Sequence, residues 1–137
     1  MSCLKRVRMV LLALMIVALA EGASAVGRNP RNVQGTSTIA LTSTNVVDAA
    51  SGKAAVNGVV AFDVYPGTLY EGRISVTCKG LKAGEIYRSN VGGEGSPAAS
   101  NGSWKDEVVL RWSGTSLPIE VYRGETLVLY GSLPTPH

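Results

Sequence analysis

An all-β fold is what this sequence predicts: an antiparallel two-sheet β-sandwich of seven or eight strands, of the immunoglobulin-like, Greek-key type, with a small β-barrel as the alternative. Three observations predict it. From Thr36 onward the apolar runs are short, rich in Val, Ile, Thr and Tyr, and bounded by Gly, Pro, Asn or Ser. No window there carries a sustained helical apolar period flanked by caps, so no helix is expected in the domain. Several segments alternate apolar with polar residues, as a strand with one buried face requires.

The first residues read differently. Lys5, Arg6 and Arg8 form a cationic start, Met9 to Ala20 run without a charge, and Ala23-Ser24-Ala25 supplies a small-x-small pattern. Residues 1–25 are therefore expected to be a secretory signal peptide, with Ala23 and Ala25 marking the cleavage site. The apolar run is too short for a helix that crosses a hydrocarbon core, which takes about 20 residues. No stable membrane insertion is expected after cleavage, and no cysteine follows the run to carry a lipoprotein anchor. The expected destination is outside the cytoplasm: secreted, periplasmic or at the cell surface.

Residues 26–35 (VGRNPRNVQG) are polar, contain Pro and Gly, and read as a flexible leader to a domain spanning 36–132. The first strand covers Thr36 to Thr42, with Ile39 and Leu41 on one face, and a weaker extended piece covers Asn45 to Ala49. A long strand from Lys53 to Tyr65 puts Val56, Val60, Phe62 and Val64 on one face, where Gly58 marks a bulge or a close backbone approach. Pro66-Gly67 turns the chain into Leu69 to Cys78, whose alternation is the cleanest here. Tyr70, Ile74, Val76 and Cys78 point one way, and Glu71, Arg73, Ser75 and Thr77 the other, so these two strands should pair as a hairpin.

A Gly-Leu connection at 80–84 leads to a short strand over Glu85 to Asn90, then to the glycine-rich loop VGGEGS. Asn101-Gly102 is a strong turn signal. After it, Trp104, Val108, Leu110 and Trp112 share a face, opposite Lys105, Glu107 and Arg111. The last hairpin joins Ile119–Tyr122 to Thr126–Gly131. A three-residue loop at Arg123-Gly124-Glu125 would put Glu120, Tyr122, Val128 and Tyr130 on its outer face. Residues 133–137 hold two prolines and are expected to leave the ladder as a disordered tail.

Charge excludes one class of partner. Lys5, Arg6, Arg8 and Glu21 leave with the signal, so the thirteen basic and ten acidic residues become ten and nine, and the net charge falls from +3 to about +1. Nothing in that balance attracts nucleic acid or an anionic membrane. Cys3 also leaves, so Cys78 has no intramolecular disulfide partner. It is either a small buried hydrophobe or the source of an intermolecular disulfide.

Groups for catalysis are sparse. The only histidine is His137, behind two prolines, where it cannot serve as a positioned base. There is no pair of His, no pair of Cys and no D-x-D-x-D-G loop, so neither a metal nor another cofactor is expected. Asp106 and Glu107 are neighbours on a strand, project to opposite faces, and cannot flank one scissile bond. VGGEGS lacks the Gly-Lys-Ser/Thr and the helix of a phosphate cradle. Asn101-Gly102-Ser103 matches a glycosylation acceptor. The binding feature that remains is aromatic: Tyr122 and Tyr130 on an outer sheet face, able to stack on a sugar ring or anchor a protein.

From Asn57 to Gly84 the chain reads NGVVAFDVYPGTLYEGRISVTCKGLKAG. This resembles the core of the chordin-type domain of secreted proteins: a strand, a short turn, an alternating strand and a Gly-Leu connection. It is similar, too, to small exported bacterial domains with the same strand order. The resemblance implies an all-β sandwich outside the cytoplasm. Chordin-type domains continue with a histidine-containing strand, where this chain has Glu85-Ile86-Tyr87-Arg88-Ser89, so no functional residue carries over. The expectation is thus a non-enzymatic exported module that binds a protein or carbohydrate ligand. The alternative is a self-assembling fibre or coat subunit, in which the polar leader adds to the sheet edge of a neighbour.

Overall fold

The computed structural model describes residues 30–64 and 67–136, and among these every regular element is a β-strand and none is a helix. The expected signal peptide with Ala23 and Ala25, residues 26–29 of the leader, Tyr65, Pro66 and His137 lie outside the described residues. The strands are β1 (Arg31–Asn32), β2 (Ser37–Ser43), β3 (Ser51–Val64), β4 (Gly67–Lys79) and β5 (Ile86–Ser89). They continue with β6 (Ser96–Pro97), β7 (Trp104–Ser113), β8 (Ser116–Arg123) and β9 (Thr126–Pro134). All pairings are antiparallel, in the order β6-β5-β8-β9-β2-β3-β4-β7, with β1 also on β3.

The sheet curls until it nearly closes. β2 makes the bend: Ser37 to Leu41 pair with β3, while Thr42 and Ser43 pair with β9. At the far ends, β7 returns towards β5 and β6 without a ladder. The Trp104 indole donates to the Ser96 carbonyl (3.1 Å) and hydroxyl (2.8 Å). The Ser89 hydroxyl donates to the Asp106 carboxylate at 2.5 Å. The core fills the interior, with Val56, Ile74, Val76, Tyr87, Trp104, Trp112, Ile119, Val121 and Leu129 buried in one cluster.

The β3–β4 hairpin forms as its alternation predicts, from Ser51↔Lys79 to Val64↔Gly67. Its bulge corrects the expected faces. Gly58 and Val59 together oppose the single residue Gly72, and Gly58 takes φ 61°, a conformation glycine adopts without a Cβ penalty. One extra residue reverses the parity of everything after it. Ala54 and Val56 face inward before the bulge, Val59 and Ala61 are buried after it, and Val60 and Phe62 turn outward. Gly72 leaves the space that Trp112 uses: a Cβ there would lie 3.0 Å from Val59 and 3.2 Å from the Trp112 ring.

Three further differences have local causes. Residues 45–49 form a turn rather than a strand, with positive φ at Asn45 (64°) and Ala49 (61°). The β8–β9 loop is one residue shorter than expected: Arg123 pairs with Thr126, Tyr122 with Leu127, and a second bulge brings Val121 opposite Leu129. Val128 is the extra residue and is buried in the core, not exposed between two tyrosines. Finally, the ladder runs through the first tail residues, pairing Leu117 with Leu133 and Ser116 with Pro134. Thr135, set between two prolines, supplies the N–H they lack and donates it to the Thr115 carbonyl (2.9 Å). Part of the leader is also taken up by the chain itself. Arg31 and Asn32 pair with Ala61 and Val60, and the Val33 N–H donates to the Val59 carbonyl at 2.8 Å.

Candidate functional site

The outer face of β5, β8, β9 and β2 carries the two tyrosines that the sequence singles out, in different settings. Strand register sets a row across three strands: Glu120 on β8, Tyr130 on β9 and Thr42 on β2. Tyr130 is 44% exposed, a large aromatic ring facing solvent in the middle of a paired strand. Beside this row, Arg88 on β5 lies opposite Tyr122 on β8.

Tyr122 is not part of an open platform with Tyr130, which corrects the sequence expectation. It is only 8% exposed, because the Arg88 guanidinium carbon sits 4.6 Å above its ring centroid. Burial, reinforced by the nearby Glu120 carboxylate, pushes the Tyr122 phenol above its ordinary pKa. Arg88 itself is 4% exposed; its Nη2 donates to the Gly124 carbonyl (3.1 Å), while its buried Nη1 makes no hydrogen bond. Sequence reasoning missed Arg88. Its one local signal is an arginine in a short strand between Tyr87 and Ser89, both of which are buried.

Cys78 is fully buried, and burial pushes its thiol from 9.0 up to about 12. An intermolecular disulfide needs this sulfur at the surface. It lies instead among core side chains, where a Cβ at Gly52 would be 3.2 Å from Sγ. Asp106 and Glu107 separate as the strand parity requires. Asp106 faces inward to Ser89, whose hydroxyl also accepts the Gly92 N–H at 3.0 Å. A side chain at Gly92 would overlap the Asp106 carboxylate, which accounts for one glycine of the VGGEGS loop. Glu107 is exposed and bound by Arg73 (2.7 Å) and Lys105 (3.4 Å). Those cations hold its carboxyl below the usual range.

On a different part of the sheet, Ser51, Gly52, Lys53, Thr77 and Lys79 line a concavity of about 460 Å³. It offers cations and hydroxyls but no aromatic ring. Among the described residues no group of three His, Cys, Asp or Glu side chains converges as a metal site would need. No helix among them is long and apolar enough to cross a membrane, which says nothing of strands. The chain matches no protein-family model and no curated protein.

Proposed function

We propose that this chain is an exported, non-enzymatic β-sandwich module that binds carbohydrate at the outer face around Tyr130. One observation carries the reading: a solvent-facing tyrosine flanked in register by a carboxylate, Glu120, and a hydroxyl, Thr42. A sugar ring stacks its C–H face on an aromatic ring, and its hydroxyls need polar partners at the ring's edge. The export part of the reading rests on the cationic, apolar and small-x-small succession of residues 1–25. The sandwich part, against the closed barrel, is supported by the register switch within β2 and by the absence of a ladder between β7 and β5 or β6 among the described residues.

The test is calorimetric titration of the full chain with a panel of soluble neutral and acidic polysaccharides. Tyr130→Ala should weaken binding at least tenfold without moving the thermal midpoint, because the ring is exposed. Binding that survives Tyr130→Ala would place the site elsewhere. No binding to any glycan would end the carbohydrate reading.

A further inference from the structure

β7 ends the strand order, and its second edge has no strand partner among the described residues. Its first edge is occupied throughout by β4, from Leu69↔Ser113 to Cys78↔Trp104. The start of β7 leans on β5 and β6 through the Trp104 and Asp106 side chains. Along the middle, Glu107 to Arg111, no backbone hydrogen bond to any described segment but β4 is made, and the outward Val109 side chain is 57% exposed, the highest among the large hydrophobic side chains of the described residues. An open edge of this length presents unpaired N–H and C=O groups to any strand that fits.

The sequence of that edge is complementary to itself. Glu107-Val108-Val109-Leu110-Arg111 reads acid, three apolar residues, base. Two copies laid antiparallel about a two-fold axis at Val109 bring the two Val109 side chains together. Glu107 of each then falls opposite Arg111 of the other, and Val108 opposite Leu110. Positions summing to an even number keep the outer face of one copy beside the outer face of the other, as the pleat demands. Shifting the axis by half a residue mixes core and outer faces, and centring it on Val108 sets Lys105 against Arg111. Only the Val109 axis satisfies both face and charge.

The existing ion pairs extend into that register. Arg73 binds Glu107 at 2.7 Å and Glu71 binds Arg111 at 2.5 Å within each copy. Across the seam the outer row would therefore run Arg73, Glu107, Arg111, Glu71, alternating in sign, and run so twice by symmetry. Networks of this kind contribute more than isolated surface pairs. Core-side, Val108 and Leu110 are both half-buried and packed at the rim of the core, so their exposed halves would cover each other.

We propose that β7 is a self-association edge, joining two copies of this chain antiparallel about Val109 into one continuous sheet. The partner is a second copy because the complementarity is internal to five residues. The two-fold contact uses the open β7 edge of each copy and so closes at a dimer.

Sedimentation equilibrium of the full chain across a wide concentration range is the first test. A reversible dimer that weakens with added salt is expected, and Val109→Lys should weaken it at least tenfold while leaving the thermal midpoint in place. A chain that stays monomeric to millimolar concentration, or that forms assemblies larger than a dimer, overturns the proposal. Register is read by cross-linking with a short thiol-specific reagent. Val109→Cys should cross-link to itself, Lys105→Cys alone should not, and Lys105→Cys mixed with Ser113→Cys should. Equal cross-linking by all three overturns the register.

Discussion

Cys78 and Trp112 both carry heteroatoms into the core, and the core treats them differently. The Cys78 thiol is stabilised in its protonated form by removal from water, so the folded chain retains a proton that the unfolded chain releases above about pH 9. The stability this residue permits is complete below pH 9.0 and declines as pH rises through about 12. At about 1.4 kcal/mol per pH unit the loss is on the order of 4 kcal/mol. Urea midpoints should hold level from pH 8 to 9 and fall from pH 9 to 11, and Cys78→Ala should flatten that fall. A thiol reagent should react with the native protein only as fast as it opens. Trp112, by contrast, is satisfied: its Nε1 donates to the Thr135 hydroxyl at 2.8 Å, which itself donates to the Gly114 carbonyl at 3.1 Å. Thr135→Val keeps the shape and strands the indole N–H, which should cost about 1–3 kcal/mol in chemical denaturation.

Among elements, the β3–β4 hairpin separates what local pattern reveals from what it conceals. β4 is legible because its inward residues, Ile74, Val76 and Cys78, alternate without interruption. In β3 the bulge residue is legible, since a glycine inside a strand pattern has few other uses. The exchange of faces after it is not, because it depends on Gly72 of another strand lying opposite two residues at once. The two glycines should respond differently to substitution. Gly58→Ala has open space for its Cβ and suffers through its positive φ alone, by about 1 kcal/mol. Gly72→Ala must push Val59 or the Trp112 ring aside and should cost about 1–3 kcal/mol. Urea denaturation of both variants, with unchanged m-values, checks the ranking. The β8–β9 hairpin conceals its bulge entirely: nothing in Val121 to Leu129 marks Val128 as the extra residue. Tyr130 could therefore be placed outside from sequence, whereas the cover of Arg88 over Tyr122 could not. That contact joins β5 to β8 across 34 positions of chain.

At the scale of the whole molecule, composition and turn chemistry suffice for the all-β architecture, while closure depends on pairings that leave no local mark. β5 finds β8 and β2 finds β9 only because the intervening hairpins curl. The resulting contacts are mostly non-local, a topology that folds slowly. The β2–β9 seam fixes a sequence of events as well as a shape. The Thr44 hydroxyl reaches the Val128 carbonyl across 84 positions of chain. At the roughly 5–20 residues per second of ribosomal synthesis, β2 emerges on the order of 4–17 s before the strand that holds it. The β3–β4 hairpin has ample time to form alone in that interval, but the domain does not. A nascent chain built this way stays threadable until β9 has been made.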